Sequence, residues 1–256
     1  MTEIIVVGFP KSGNTWITRL LADALDWPVR GIHEARPLSE QGQPHKDGHL
    51  IRQLHLQPES HGSDHPAVAS AWTLNVDAVK EHHKVIHIMR DPRDVAVAID
   101  HYWGLKNLHR TITDVMAVGG HPLWGRGWVE YIEAWRKTSI PVLETRYEWL
   151  HADTLLELQR ILDRLDVKAV KPLGEVIERQ SFAVKRADIV TNGEDQNLAH
   201  GLGPQLANLR GGRVGDWRQE FSDENIAEFA DLFTVPLLKY CFEDDPEWYL
   251  YRVQTC

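Results

Sequence analysis

Residues 4–16 read IIVVGFPKSGNTW, and the pattern of this segment indicates the fold class. Its first four residues are apolar and mostly β-branched, which is typical of a strand buried on both faces of a parallel sheet. Apolar residues then recur at helical spacing, at Trp16, Leu20, Leu21, Ala24 and Leu25. The loop of residues 8–16 thus joins a strand to a helix N-terminus, where backbone N–H groups attract anions. The sequence therefore predicts a phosphate-binding loop.

Two further segments repeat the order of strand and helix. Residues 84–89 indicate a second buried strand, and residues 91–99 its turn and helix, with Pro92 near the helix start. Residues 140–146 indicate a third strand, and Asp153 is a suitable N-cap for the helix after it. The expected apolar face of that helix consists of Leu155, Leu156, Leu158, Ile161, Leu162 and Leu165. This alternation predicts an α/β fold with a P-loop-type central parallel sheet flanked by helices.

The composition of the 256-residue chain is that of an ordinary globular protein, with 43% hydrophobic and 25% charged residues. It contains no internal repeat and no obvious dividing linker, and we expect a single domain over residues 1–256. The formal net charge of −9 argues against a general nucleic-acid or anionic-membrane surface, since both need a net basic field. An anionic ligand must therefore be held by local groups.

The start of the chain and its cysteines bear on the compartment. The N-terminus reads Met-Thr-Glu and is followed by no basic leader and no long hydrophobic stretch, so we expect a cytoplasmic protein without a membrane partner. The two cysteines, Cys241 and Cys256, are too few for a disulfide framework, which fits a reducing compartment.

The predicted loop departs from the loop of nucleotide triphosphatases, G-x-x-x-x-G-K-[ST]. Gly8, Gly13 and Thr15 keep that spacing, but Asn14 occupies the lysine position. The loop lysine, Lys11, stands three residues earlier, where its charge would lie near a bridging oxygen and not near a γ-phosphate. The loop therefore favours an anion other than a magnesium-bound triphosphate.

An arginine follows the second strand where such enzymes carry a magnesium-binding acid, and a second arginine occurs later in the chain. Arg90 directly follows the second strand, and Arg210 begins the glycine-rich segment RGGRVGDW. A planar guanidinium suits a phosphate, and small residues let the backbone approach a ligand closely. These two arginines indicate a second anion site and disfavour a metal-dependent kinase. For Arg90, an ion pair with Asp91 or Asp94 is an equally good explanation.

Five segments resemble, in order, the cytosolic-type sulfotransferases, which use 3′-phosphoadenosine 5′-phosphosulfate (PAPS) as donor. Residues 10–16, PKSGNTW, resemble the 5′-phosphosulfate loop P-K-S-G-T-T-W, and residues 90–97, RDPRDVAV, resemble the 3′-phosphate motif R-N-P-K-D-V-A-V. Residues 147–148 are similar to the segment Y-E-D and residues 180–182 to T-S-F. Residues 210–217 are similar to R-K-G-x-x-G-D-W. The resemblance spans most of the chain and implies a sulfotransferase fold.

The resemblance also implies a role for each matching residue. The 5′-phosphosulfate would be held by Lys11, Ser12, Gly13, Asn14, Thr15 and Trp16. The 3′-phosphate would be held by Arg90, Arg210, Gly211 and Gly212. Trp16 and Phe182 would stack on adenine and Tyr147 would contact its polar edge, with core packing as the alternative for the two stacking residues. No metal is implied.

Sulfuryl transfer needs an in-line nucleophile, a stabilised leaving oxygen and a base for the acceptor proton. Lys11 would neutralise the charge that grows on the leaving phosphate oxygen. His55, in the segment LIRQLHL, resembles the catalytic histidine of the family segment K-T-H-L-P; the alternative is a strand-end histidine without a catalytic part. The family lysine two residues earlier is Gln53 here, and Arg52 is a candidate to supply the missing charge.

Further departures concern the phosphate site and the subunit contacts. Ala98 stands where the family has a serine, and Gly211 stands where it has a lysine, although Arg213 is close by in sequence. The family's dimer pattern does not fit near Arg218, so the oligomeric state stays open.

The acceptor is not readable from the sequence, and a small hydroxylated compound, or an amine, is the default expectation. Its pocket is expected among residues 31–75, 99–128 and 186–208, the last being part of a polar segment that suits a lid. Candidate lining residues are Trp72, Tyr102, Trp103 and Trp124. A bacterial-type enzyme that modifies natural products would fit. The rival functions are a PAPS-binding module without catalysis and a small-molecule P-loop kinase.

Overall fold

The computed structural model describes residues 2–30, 49–54, 57–59, 73–75, 79, 82–117, 127–192, 209 and 211–252. The predicted base His55 and the predicted phosphate ligand Arg210 lie outside the described residues, as do Trp72, Trp124 and most of the two long polar segments.

The centre of the molecule is a parallel sheet of five strands, which are β1 (Thr2–Val7), β2 (Val29–Arg30), β3 (His49–Leu54), β6 (His83–Met89) and β7 (Val142–Arg146). Their order across the sheet is β2-β3-β1-β6-β7. A separate parallel pair is formed by β4 (Gln57–Glu59) and β5 (Thr73–Asn75). The three strands predicted from the sequence are β1, β6 and β7, which confirms those predictions.

Helices cover both faces of this sheet. In chain order they are α1 (Asn14–Leu25), α2 (Pro92–Trp103), α3 (Leu108–Arg110), a π-helix (Thr111–Ala117), α4 (Trp128–Arg136), α5 (Tyr147–Ala152), α6 (Thr154–Leu165), α7 (Leu173–Arg179), α8 (Phe182–Asn192), α9 (Trp217–Glu220) and α10 (Asp223–Lys239), followed by a 3₁₀ turn (Trp248–Arg252). The predicted α/β architecture with a central parallel sheet is therefore confirmed.

The alternation of side chains along β1 divides the core into two layers. Ile4 and Val6 pack with α1, α6 and α7, whereas Ile5 and Val7 pack with α2, α4 and α10. All four side chains are fully buried, as expected for a strand that has a partner on each side and a helical layer on each face. Because the paired strands run parallel, the loops after β1, β3, β6 and β7 leave the sheet at one edge.

The apolar face predicted for α6 is only partly correct. Leu158, Ile161, Leu162 and Leu165 are buried, but Leu155 and Leu156 are exposed. The buried position in the first turns belongs to Glu157, whose carboxylate accepts a hydrogen bond from the Thr145 hydroxyl and pairs with Arg160. Asp153 caps the helix as predicted, by accepting a hydrogen bond from the Leu156 N–H at 2.9 Å.

No helix among the described residues is both long and apolar enough to cross a membrane.

Two leucines of α6 provide a matched test of this packing. Leu158 is 0% exposed and Leu156 is 69% exposed, although the substitution to alanine removes the same atoms from both. We expect Leu158→Ala to lower the free energy of unfolding by about 2–5 kcal/mol, because it leaves a cavity, and Leu156→Ala to change it by less than about 0.5 kcal/mol. Urea unfolding at unchanged m-value measures both, and equal losses would contradict this packing.

Candidate functional site

The predicted phosphate-binding loop lies between β1 and α1 at the carboxyl edge of the sheet. Lys11 and Gly13 both have left-handed backbone conformations, with φ of 68° and 100°. At Gly13 a Cβ atom would lie 2.6 Å from Cδ2 of Tyr147, so only glycine fits between the loop and α5. Gly13 is also the N-cap of α1, which turns the first N–H groups of that helix toward the loop. The local geometry suits an anion.

Asn14, at the position of the usual P-loop lysine, closes the loop on itself. Its side chain is buried, and Nδ2 donates a hydrogen bond to the carbonyl of Gly8 at 2.9 Å. A Cβ atom on Gly8 would lie 2.5 Å from Oδ1 of Asn14, so the glycine gives the amide its space. The side chain of Asn14 thus shapes the loop.

Two hydroxyl groups of the loop face different surroundings. Ser12 is fully buried, and its Oγ has no hydrogen-bond partner within the described residues. Thr15 is half-buried, and its Oγ1 accepts a hydrogen bond from Nε2 of Gln53, which comes from the end of β3, at 3.1 Å. A buried hydroxyl without a partner is costly, and such groups are typical of ligand sites.

Lys11 places its ammonium group over an aromatic ring. Nζ lies 3.8 Å from the ring centroid of Tyr102, at the end of α2. Burial, together with the nearby charge of Arg90, lowers the pKa of Lys11 to about 7. An anion bound at the loop would raise the pKa of Lys11 again, because it stabilises the protonated ammonium. The protonation of Lys11 would therefore change on binding of an anion.

Arg90 joins the loop to two distant parts of the chain. Its Nη1 donates to the carbonyl of Lys11 at 3.3 Å, and its Nη2 donates to the carbonyl of Arg213 at 2.9 Å. The guanidinium lies 4.3 Å from the ring centroid of Tyr147 and pairs with Asp94 at 3.8 Å. Nε is buried without a hydrogen-bond partner in the described part of the chain. Arg90 thus makes the ion pair that the sequence left as an alternative and keeps one donor atom unused.

Asp94 fastens the glycine-rich segment of residues 211–217 to α2. Its carboxylate accepts hydrogen bonds from the N–H of Gly215 at 2.7 Å and of Trp217 at 3.1 Å. Burial raises the pKa of this carboxyl. The sequence suggested Asp94 only as an ion-pair partner and missed this role, which depends on a contact between residues far apart in the chain.

Three aromatic residues of the predicted adenine site lie beside the glycine-rich segment and the phosphate-binding loop. Phe182, at the start of α8, packs against Gly212, where a Cβ atom would lie 2.8 Å from its Cδ2. Gly212 also has a φ of 63°, which favours glycine. Trp16 meets Tyr147 edge to face with 5.5 Å between the ring centroids. The structure thus brings Phe182 to the glycine-rich segment and Trp16 to Tyr147.

Glu148 is a buried carboxyl next to these residues that the sequence did not single out. Its Oε1 accepts a hydrogen bond from the N–H of Asp91 at 2.8 Å, where β6 passes into α2. Burial raises the pKa of Glu148 to about 7. Since Tyr147 contacts Arg90 and Glu148 contacts Asp91, the first turn of α5 supports both residues. Only the resemblance of Tyr147 and Glu148 to a family segment offered a signal.

Arg52 does not supply the charge missing at Gln53. Neighbouring residues of a strand point to opposite faces, and Arg52 pairs with Glu3 near the start of β1. Gln53 instead points toward Thr15. The sequence-based suggestion that Arg52 compensates for Gln53 is therefore wrong.

Among the histidines that the structure describes, His87 is unsuitable as the base that accepts the acceptor proton. It lies within β6, fully buried, with its ring centroid 5.8 Å from that of Tyr131 and 6.1 Å from that of Trp135. Burial lowers the pKa of His87 to about 4, so the ring is neutral. Because the ring is fully buried, it also cannot contact a ligand.

In the described part of the chain, no group of three or more His, Cys, Asp or Glu side chains is arranged to hold a metal ion.

The chain is similar to known proteins over most of its length. The model of the sulfotransferase domain family matches residues 1–241. Sulfotransferase 2A1 of Rattus norvegicus is 24% identical over 260 residues, which cover 90% of this chain and 83% of that protein. Luciferin sulfotransferase of Photinus pyralis is 24% identical over 280 residues, covering 96% of this chain and 74% of that protein.

Solved structures share the fold. The crystal structure of mouse sulfotransferase SULT7A1 complexed with PAP superposes with a TM-score of 0.69 at 21% identity, covering 92% of this chain and 84% of that one. A retinol dehydratase in complex with androsterone and the inactive cofactor PAP gives a TM-score of 0.59 at 16% identity, covering 92% of this chain and 80% of the other. The family model spans nearly the whole chain, and the protein belongs to the sulfotransferase family, as its sequence motifs predicted.

Proposed function

We propose that the protein transfers a sulfuryl group from PAPS to a hydroxyl, or an amine, of a small-molecule acceptor. The observation that carries this proposal is the contact between Arg90 and the carbonyl of Lys11. It joins the loop after β1 to the end of β6, so that two anion-binding groups from separate motifs share one edge of the sheet. A donor with phosphates at both the 5′ and 3′ positions needs such a pair of sites.

The donor's phosphates would occupy the two sides of this contact. The loop of residues 11–16 would hold the 5′-phosphosulfate, with Ser12 Oγ as a buried hydroxyl that lacks a partner in the described residues. Arg90, Arg210 and the glycines at 211 and 212 would hold the 3′-phosphate, with Nε of Arg90 still unused. The structural relatives described above as complexed with PAP, which is PAPS without its sulfuryl group, support this assignment.

Adenine would lie near Trp16, Tyr147 and Phe182. Trp16 and Tyr147 already meet edge to face, and Phe182 packs on Gly212, beside the proposed 3′-phosphate ligands. Aromatic rings of this kind offer flat apolar surface to a purine. The whole donor site falls within one domain, which the family model supports over residues 1–241.

The reaction would be an in-line displacement at sulfur. The acceptor oxygen forms a bond to sulfur while the bond between sulfur and the 5′-phosphate oxygen breaks, and the acceptor proton passes to His55 as base. His55 directly follows β3, whose last residue, Leu54, pairs with Val7 at the entrance to the loop. The Lys11 ammonium would stabilise the charge that develops on the departing phosphate oxygen.

The acceptor would enter beside the end of α2. Tyr102 and Trp103 meet edge to face there with 4.7 Å between ring centroids, and both are half-buried. Tyr102 also carries the Lys11 ammonium on its ring, so the acceptor side adjoins the group that acts on the leaving oxygen. This arrangement favours a small hydroxylated acceptor with apolar surface.

The donor assignment predicts a strong preference for a 3′-phosphate. We expect PAP to bind at least about tenfold more tightly than AMP, since a 3′-phosphate adds charge-assisted hydrogen bonds to Arg90. Calorimetry in the presence of EDTA measures both affinities without magnesium. Equal affinities for PAP and AMP would contradict the 3′-phosphate site.

The catalytic assignment predicts different effects for two alanine variants. We expect Lys11→Ala and His55→Ala each to lower kcat about 100-fold or more, because one removes leaving-group stabilisation and the other removes the base. His55→Ala should bind PAP as the unchanged protein does. Lys137→Ala, which removes an exposed lysine after α4, is the matched control and should keep full activity. Full activity of His55→Ala would assign the base to another residue.

The pKa of Lys11 predicts a pH dependence of donor binding. Below about pH 7 the ammonium is already protonated, whereas above this pH the lysine must take up a proton when the anion binds. We therefore expect PAP affinity to fall by up to about tenfold per pH unit between pH 7.5 and 9. In Lys11→Arg the guanidinium stays charged, and the decline should be shallower. Equal slopes in calorimetric titrations of the two proteins would contradict this linkage.

A further inference from the structure

Gln53 is a fully buried amide at the edge of the proposed donor site. It is the second-last residue of β3, is 0% exposed, and donates from Nε2 to Oγ1 of Thr15 at 3.1 Å. We propose that Gln53 is a positioning residue that directs the hydroxyl proton of Thr15 toward the 5′-phosphate of the donor. This inference rests on the proposed function and names a residue whose effect is confined to one phosphate.

The direction of the hydrogen bond carries the argument. A threonine hydroxyl has one proton to donate and two lone pairs that accept. Because Thr15 accepts from Gln53, its own proton is available for a different acceptor. Thr15 lies in the first turn of α1, where N–H groups attract an anion, and it is only half-buried. A phosphate oxygen at the helix N-terminus is the acceptor that this geometry favours.

The surroundings of Gln53 indicate a functional residue and not ordinary packing. Its second polar atom, Oε1, is buried and has no hydrogen-bond partner in the part of the chain that the structure describes. A buried amide whose carbonyl oxygen lacks a partner destabilises a core, and an apolar residue of the same length would fill this space at lower cost. Such local costs are typical of binding sites.

The test compares two ligands that differ only in the 5′-phosphate: PAP and adenosine 3′-phosphate. Gln53→Met keeps the length of the side chain and its lack of charge but removes the hydrogen bond. We expect calorimetry to show PAP affinity lowered about tenfold, the usual scale for one hydrogen bond, with affinity for adenosine 3′-phosphate changed less than about twofold. A proportional loss for both ligands would overturn the proposal, since it would show a general structural role.

Variants at Thr15 test whether Gln53 acts through that hydroxyl. Thr15→Val removes the hydroxyl with little change in shape, and Gln53→Met should then have no further effect on PAP affinity. Thr15→Ser retains the hydroxyl, and in this background Gln53→Met should again cost about tenfold. Losses that simply add in the Thr15→Val background would overturn the inference. Thermal unfolding of each variant confirms that it is folded.

The unchanged protein separates failure of this inference from failure of the proposed function. If it binds PAP no more tightly than adenosine 3′-phosphate, the 5′-phosphate loop is wrongly assigned and both proposals are overturned. If it prefers PAP, and that preference survives in Gln53→Met, then the donor site stands and only the role of Gln53 is overturned.

Discussion

The proposed donor site depends on the guanidinium of Arg90. It contacts the carbonyls of Lys11 and Arg213, the carboxylate of Asp94 and the ring of Tyr147. These partners come from the loop after β1, the glycine-rich segment, α2 and α5. A planar group with several donors can satisfy partners in different directions, which an ammonium of similar charge does less well. Arg90 is therefore a structural link between these segments and, in the proposed function, the positive centre of the 3′-phosphate site.

The cationic side chains at this edge of the sheet differ in their immediate electrostatic surroundings. Arg90 has Asp94 beside it, whereas Lys11 is half-buried, and desolvation together with the charge of Arg90 lowers its pKa to about 7. Asn14 is neutral where the loop of nucleotide triphosphatases carries a lysine, and Gln53 is neutral where the family segment that it resembles has a lysine. Both side chains make hydrogen bonds in the region of the loop. A net charge of −9 over the chain is thus compatible with an anionic ligand, because the local groups decide binding.

The sequence was most informative where the structure is local. The β-branched run at residues 4–7 and the loop after it predicted β1, the loop and α1, because periodicity and glycine spacing act within a few residues. The sequence-based prediction was wrong at Leu155 and Leu156, which are exposed. Glu157 is buried instead, and its carboxylate accepts a hydrogen bond from the Thr145 hydroxyl. That contact joins a helix to a strand and leaves no trace in helical periodicity. Glu148 was missed for the same reason, since its partner is the N–H of Asp91.

The two halves of the donor site therefore differ in how they are built. The 5′ side is a continuous loop, shaped by contacts such as that between Asn14 and Gly8. The 3′ side exists only when α2, α5 and the glycine-rich segment meet, and Asp94 and Glu148 hold that junction through backbone N–H groups. Backbone contacts do not depend on the partner's side chain. Asp94, Glu148 and Arg90 thus hold these segments together through contacts that involve neither Ala98 nor Gly211.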